Sequence, residues 1–154
     1  MLTEPAAPAT LRRLVRGTLQ ATVEDVGGRP AVVVRSVSAR HRGALGHEDG
    51  VTLADAAVLA SRLRVPLVLV LASSGAEVSE GVAALHGWGR AARALADCSG
   101  VVPVLAVVTG PALSGPALLL GMADLVVMTP HAFAFVSGPA MVEEFTGVRI
   151  GLRQ

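Results

Sequence analysis

Lysine is absent from this 154-residue chain, and all thirteen basic residues are arginine. Neither a Schiff base nor a P-loop lysine can be built from it. Where its basic residues function, planar bidentate contacts to carboxylate or phosphate are expected. Tyrosine is absent too. Three Phe and one Trp complete the aromatic set, so a stacking platform for nucleic-acid bases is not expected. Cysteine occurs once, at Cys98. That excludes a disulfide or a Cys-rich zinc site within the chain, and it points to a reducing compartment, the cytoplasm. The formal net charge of +1 gives no electrostatic case for nucleic acid.

Two further signals are missing. The opening MLTEPAAPATLRR carries Glu4, Pro5 and Pro8 where an export signal needs an apolar stretch, so none is read. The most apolar window, residues 101–128, is broken by Pro103, Gly110, Pro111, Gly115, Pro116 and Asp124. No membrane span is expected there. What is plentiful is apolar surface: 52% of residues are hydrophobic and 16% charged. That suffices for the core of one ordinary domain. The surplus points to a face buried against a partner.

Residues 1–17 read as a lead, with LRRLVRG as a short amphipathic helix, and residues 18–154 as one domain. TLQATVEDV and PAVVVRSVS are β-rich and joined by a hairpin turn at GGRP. HRGALGHEDG reads as a Gly-rich loop. TLADAAVLASRLR reads as a helix capped by Thr52, with Leu53, Ala56, Ala57, Ala60 and Leu63 as its apolar stripe. PLVLVLA and VVPVLAVVTG read as strands buried on both faces. EGVAALHGWGRAARALAD is a helix that Gly87 and Gly89 weaken in its middle. PALLLGMA is a further helix, and DLVVMT and AFAFVS are short strands. GPAMVEEFTG frames a last helix, with Pro139 in its first turn and Gly147 at its end. Buried strands alternating with helices predict an α/β fold of parallel units with right-handed crossovers. Each strand end then delivers a Gly/Ser turn to a helix start, where N–H groups point outward.

In TGPALSGPALLLG a buried strand hands over to a helix. Small side chains there let a ligand oxygen approach the backbone amides near Ser114 and Gly115. Such amides stabilise a developing oxyanion, and losing one donor costs about 3–4 kcal/mol of transition-state stabilisation. On the residues alone, a tight turn with no further role remains the alternative.

From residue 42 to 150 the chain resembles the carboxyltransferase (β) subunits of acyl-CoA carboxylases, in the crotonase-like superfamily. The resemblance is carried by RGALGHEDGVTLADAAVLASRLRVPLVLVLASSGAEVSEGVAALHGWGRAARAL and VVPVLAVVTGPALSGPALLLGMADLVVMTPHAFAFVSGPAMVEEFTG. It implies a crotonase/ClpP-like spiral of β-β-α units. It also implies an acyl-CoA thioester held by backbone amides at Ser114 and Gly115. Carboxyl transfer would come from carboxybiotin on a separate carrier domain. By position in the family motifs, Arg42 and Gly43, Ser73, Ser74 and Gly75, Gly110 and Pro111, and Ser137 and Gly138 are the implied substrate-binding residues. Arg40 and Arg42 are candidates for the CoA phosphates. The implied partners are a homo-oligomer or second carboxyltransferase domain, and a biotin carboxylase/carrier subunit. By this resemblance the matching stretch is expected to be the first of the family's two domains, without the second. No metal is expected: the four-Cys zinc ribbon of some bacterial members is not present.

The chain departs from the family motifs at three places. Ser114 stands for a Gly, so its Cβ narrows the site or demands a less permissive backbone angle. Ala72 stands for an Asp. Glu77 stands for an Arg and reverses a charge. Three rival readings follow. One is a non-catalytic assembly module of the same fold. Another is a subunit of a biotin-independent acyl-CoA or malonyl decarboxylase. The last is a Clp-type peptidase, which needs a base within reach of Ser114, whereas the expected place reads Ser137-Gly138-Pro139 and His131 precedes the strand. A metal at His41 and His47, with Glu48 and Asp49 nearby, lacks a clear third ligand. His86, Trp88 and Cys98 read as packing or surface residues. Glu143 and Glu144 read as a polar helix face, and Asp124 as a cap or turn residue.

Overall fold

A computed structural model of the chain describes residues 14–15, 17–37 and 40–151. The rest of the predicted lead, residues 1–13 and 16, lies outside them, as do the side chains of Arg40 and His41. Where the lead is described it is not helical. Leu14–Val15 form a short strand, β1, antiparallel to β2, Leu19–Asp25. β2 turns back into β3, Pro30–Ser36, through Gly27 and Gly28 at φ 62° and 82°. The predicted hairpin is therefore present, and the Asp25 carboxylate accepts the Gly28 N–H at 2.8 Å.

From β3 onward the chain builds parallel units. α1 is His47–Leu63, β4 Leu67–Ser73, α2 Val82–Cys98, β5 Val104–Leu113 and α3 Gly115–Leu120. β6, Leu125–Met128, β7, Phe133–Phe135, and α4, Pro139–Thr146, follow. The sheet order is β1-β2-β3-β4-β5-β6, with β3 to β6 parallel and β7 beside the far end of β5. This is the α/β architecture that the strand–helix alternation predicts. No helix among the described residues is long and apolar enough to cross a membrane.

α1 begins five residues before its predicted start. Its N-cap is Gly46, not Thr52, which lies buried inside the helix. The cause is Asp49. Its buried carboxylate accepts the N–H of Gly46 at 2.9 Å, and those of Thr18 and Leu19 at 2.6 and 2.8 Å. One side chain thus caps α1 and ties the start of β2 to it. Gly17 allows this, since a Cβ there would stand 2.4 Å from the carboxylate.

The core lies between the sheet and the α1–α2 layer. Leu67, Leu69 and Leu71 of β4 are fully buried beside Ala56, Ala60, Ala91 and Leu95. Each buried leucine contributes about 2 kcal/mol of transfer free energy. Val68 and Val70, on the other face, are only half-buried. The prediction of strands buried on both faces therefore holds for one face fully and for the other in part. β6 is exposed along its whole length. Cys98 packs in the core, its Sγ 3.4 Å from the Ser61 hydroxyl. Asp124 ties β6 to β5, its carboxylate accepting the Val104 N–H at 2.7 Å.

Candidate functional site

The carboxyl ends of the adjacent parallel strands β4 and β5 deliver two turns to one place. β4 ends at Ser73, and Ser74 and Gly75 follow it. Ser73 is fully buried, and its hydroxyl accepts the Gly75 N–H at 3.2 Å and donates to the Gly75 carbonyl at 3.3 Å. The turn is stitched to the 3-10 turn Arg40–Gly43. There the Ser74 N–H donates to the Arg42 carbonyl at 3.2 Å, and the Leu45 N–H donates to the Gly75 carbonyl at 2.9 Å. Gly43 is required by the closeness, because a Cβ on it would lie 2.7 Å from the Ala72 carbonyl oxygen. Arg42 itself is exposed, with φ 56°.

β5 runs three residues further than predicted. Gly110 is a strand residue as predicted, and Pro111 is one too, not part of the turn. Pro111 pairs with Phe133, and Ser73 registers with Ala112 after a shift in the β4–β5 ladder. Pairing with β7 on one side and β4 on the other carries the strand through to Leu113. The handover falls on Ser114, whose backbone takes φ 59° and ψ −119°. This is a region glycine adopts freely and an L-residue adopts at a cost. The less permissive angle expected for a serine at this position is thus observed.

The two predicted amide donors differ. The Ser114 N–H donates to the Phe135 carbonyl at 2.8 Å, closing the β5–β7 pairing. It is committed inside the protein. The Gly115 N–H makes no hydrogen bond among the described residues. A Cβ on Gly115 would stand 3.0 Å from the Trp88 ring. Trp88 therefore packs behind the turn, which the spacing of its helix did not reveal. Gly75, at φ 116°, faces the same turn: a Cβ on it would be 3.4 Å from the Leu113 carbonyl oxygen and 3.7 Å from the Ser114 Cβ. Arg42, Gly43, Ser73, Ser74, Gly75, Ser114 and Gly115 are thus gathered at the carboxyl end of the interior strands β4 and β5. Ser137 and Gly138 follow β7, with Gly138 as the N-cap residue of α4; a Cβ on Gly138 would meet nothing within 4 Å, so the geometry does not draw these two into the cluster.

The outward-pointing amides expected at each helix start are not all available. At α1, Asp49 takes the Gly46 N–H, and the Glu80 carboxylate takes the His47 N–H at 2.6 Å. Glu80 presses against Gly46, where a Cβ would overlap its oxygens. No sequence signal had singled out Glu80. Glu77 caps a short 3-10 turn, accepting from the Ser79 N–H at 3.2 Å and the Ser79 hydroxyl at 2.6 Å.

His86 is exposed and stacks on His47, ring centroids 5.6 Å apart, while the His47 Nδ1 lies 3.1 Å from the Ala83 carbonyl. His131 stands in the exposed turn between β6 and β7. Among the described residues no imidazole hydrogen-bonds Ser114, and no three His, Cys, Asp or Glu side chains group to hold a metal ion.

Comparison with known proteins agrees with this architecture. A biotin-dependent acetyl-/propionyl-coenzyme A carboxylase beta6 subunit of Mycobacterium bovis is 38% identical over 105 residues, covering 68% of this chain and 22% of that subunit. The transcarboxylase 12S crystal structure, a hexamer, superposes with a TM-score of 0.83 at 26% identity, over 88% of this chain and 26% of that one. A malonate decarboxylase hetero-dimer of Pseudomonas superposes with a TM-score of 0.80 at 25% identity, over 92% of this chain and 65% of the matched chain. The chain thus spans about a fifth to a quarter of the length of the carboxylase and transcarboxylase subunits it matches. The carboxyl transferase domain model itself matches along nearly the whole sequence, residues 3–153, and the chain belongs to that family.

Proposed function

We propose that this chain supplies the acyl-CoA-holding half of a carboxyltransferase site. One observation carries the reading: two turns from adjacent parallel strands meet at Gly75 and Ser114, leaving the Gly115 amide without a partner among the described residues. Such an amide donates to a thioester carbonyl oxygen and strengthens that bond as enolate charge develops. Arg42, exposed beside the turns, meets a CoA phosphate. Biotin on a separate carrier would supply the carboxyl group, and this chain's part is to hold and polarise the acceptor thioester. A second carboxyltransferase domain, from the same protein or a partner, completes the site. The exposed apolar residues after residue 117, among them Leu118, Leu125, Val127 and Phe145, support a partner surface. A cytoplasmic place is consistent with this chemistry.

A second reading has its own support. The malonate decarboxylase match covers 65% of its chain, a larger share than the carboxylase matches. A two-subunit decarboxylase would use the same amide on the same carbonyl.

Calorimetric titration with acetyl-CoA against free CoA tests the first step shared by both readings. Saturable binding that depends on the thioester, and that Ser114→Trp abolishes by filling the junction while circular dichroism stays unchanged, is the expected result. Equal affinity for acetyl-CoA and free CoA would remove the thioester from the site.

A further inference from the structure

We infer that Ser114 restricts the acyl group to a small one, an acetyl thioester in preference to its longer homologues. This rests on the acyl-CoA reading above and adds a substrate class to it.

The inference starts at the contact between the two turns. Gly75 and Gly115 offer no side chain there. The Ser114 Cβ lies 3.7 Å from where a Cβ of Gly75 would stand, an ordinary contact distance. The Ser114 hydroxymethyl group therefore leans over Gly75. Ser114 is exposed, so the group is open to solvent beside Gly75 and is not part of the core. Its backbone, at φ 59° and ψ −119°, fixes the direction of the Cα–Cβ bond.

A thioester oxygen on the Gly115 amide places the acyl α-carbon one bond from the carbonyl carbon, at this same junction. An acetyl group ends there. A propionyl group carries one more carbon, and that carbon competes with the Ser114 side chain for space. The hydroxyl gives it no apolar contact in return. Discrimination at one methylene reaches about 10- to 200-fold.

The test is calorimetric titration of the full chain with acetyl-, propionyl- and butyryl-CoA, with free CoA as reference, for wild type, Ser114→Gly and Ser114→Ala. Wild type is expected to bind acetyl-CoA about tenfold or more tightly than propionyl-CoA, with Ser114→Gly removing most of that ratio and Ser114→Ala falling between. The readout is the ratio between ligands, because relief of backbone strain moves all of them together. A wild type with no preference overturns the inference and leaves the acyl-CoA reading standing. So does a preference that Ser114→Gly leaves unchanged. A chain that binds no thioester better than free CoA overturns both. Glycine adopts this backbone freely, so the Gly variant carries the test even where the Ala variant folds poorly.

Discussion

Gly50 of α1 and Gly87 of α2 meet backbone to backbone: a Cβ built on Gly50 would lie 2.2 Å from the Gly87 carbonyl carbon. A Cβ on Gly87 would in turn lie 2.7 Å from the His47 carbonyl oxygen. Helix propensity alone says that alanine at either position stabilises by about 0.8–1 kcal/mol. Sterics outweigh it, since overpacking a tight contact costs about 1–3 kcal/mol. Gly50→Ala and Gly87→Ala are expected to lower the urea midpoint. Gly89, two residues on and open to solvent, provides the contrast. Gly89→Ala is expected to raise the midpoint by the propensity gain.

That pair shows what a sequence pattern carries and what it does not. Alternation of apolar runs with helical stripes placed β4, β5, α2 and α4, because each is specified by its own residues. Gly87 read as a weak point in α2, since its partner lies 37 positions away. The start of α1 was missed for a related reason: Asp49, which caps it at Gly46, also holds the amides of Thr18 and Leu19, 31 and 30 positions away. The turns holding Ser73, Gly75, Ser114 and Gly115 were legible from their glycines and serines. Which amide remains open was not, because it depends on the Phe135 carbonyl across the β5–β7 pairing.

Asp49 accepts three backbone N–H groups from two segments of the chain. Hydrogen bonds to a buried charge are each worth about 1.5–3 kcal/mol, and orphaned donors add a penalty. Asp49→Ala is expected to destabilise by about 3 kcal/mol or more, read from chemical denaturation. Hydrogen exchange at Thr18, Leu19 and Gly46 is expected to accelerate together.

Ser114 holds a backbone conformation that costs an L-residue about 1–3 kcal/mol. Ser114→Gly is expected to stabilise the fold by about 1 kcal/mol after the larger unfolded-state entropy of glycine is counted. A higher melting temperature checks it. An unchanged or lower one would mean that the serine side chain makes contacts that offset the strain.

Glu24 on β2 is held below the usual carboxylate range by hydrogen bonds from Arg35, then from Thr22. A depressed folded-state value means the pair stabilises at neutral pH, above the unfolded-state value. That contribution fades as pH falls through the lower, folded value. Both side chains are more than a third exposed, 41% for Arg35 and 35% for Glu24, so solvent screening limits it to about 0.5 kcal/mol. Glu24→Gln is expected to be slightly less stable than wild type at pH 7 and indistinguishable from it in acid strong enough to protonate the carboxylate, below its depressed folded-state value. Paired denaturation curves at the two pH values check it.

β6 ends the sheet with Leu125, Val126, Val127 and Met128 all exposed. These four residues include no charge and no proline, the usual guards of a bare strand edge. A growing crystal, a concentrated stock or a crowded folding intermediate would all meet the same hazard there. Unsatisfied main-chain groups beside oily side chains invite runaway strand addition. Left uncovered, these four residues lower the chain's tolerance of high concentration. A lysine at Val127, facing outward on that rim, is the smallest repair.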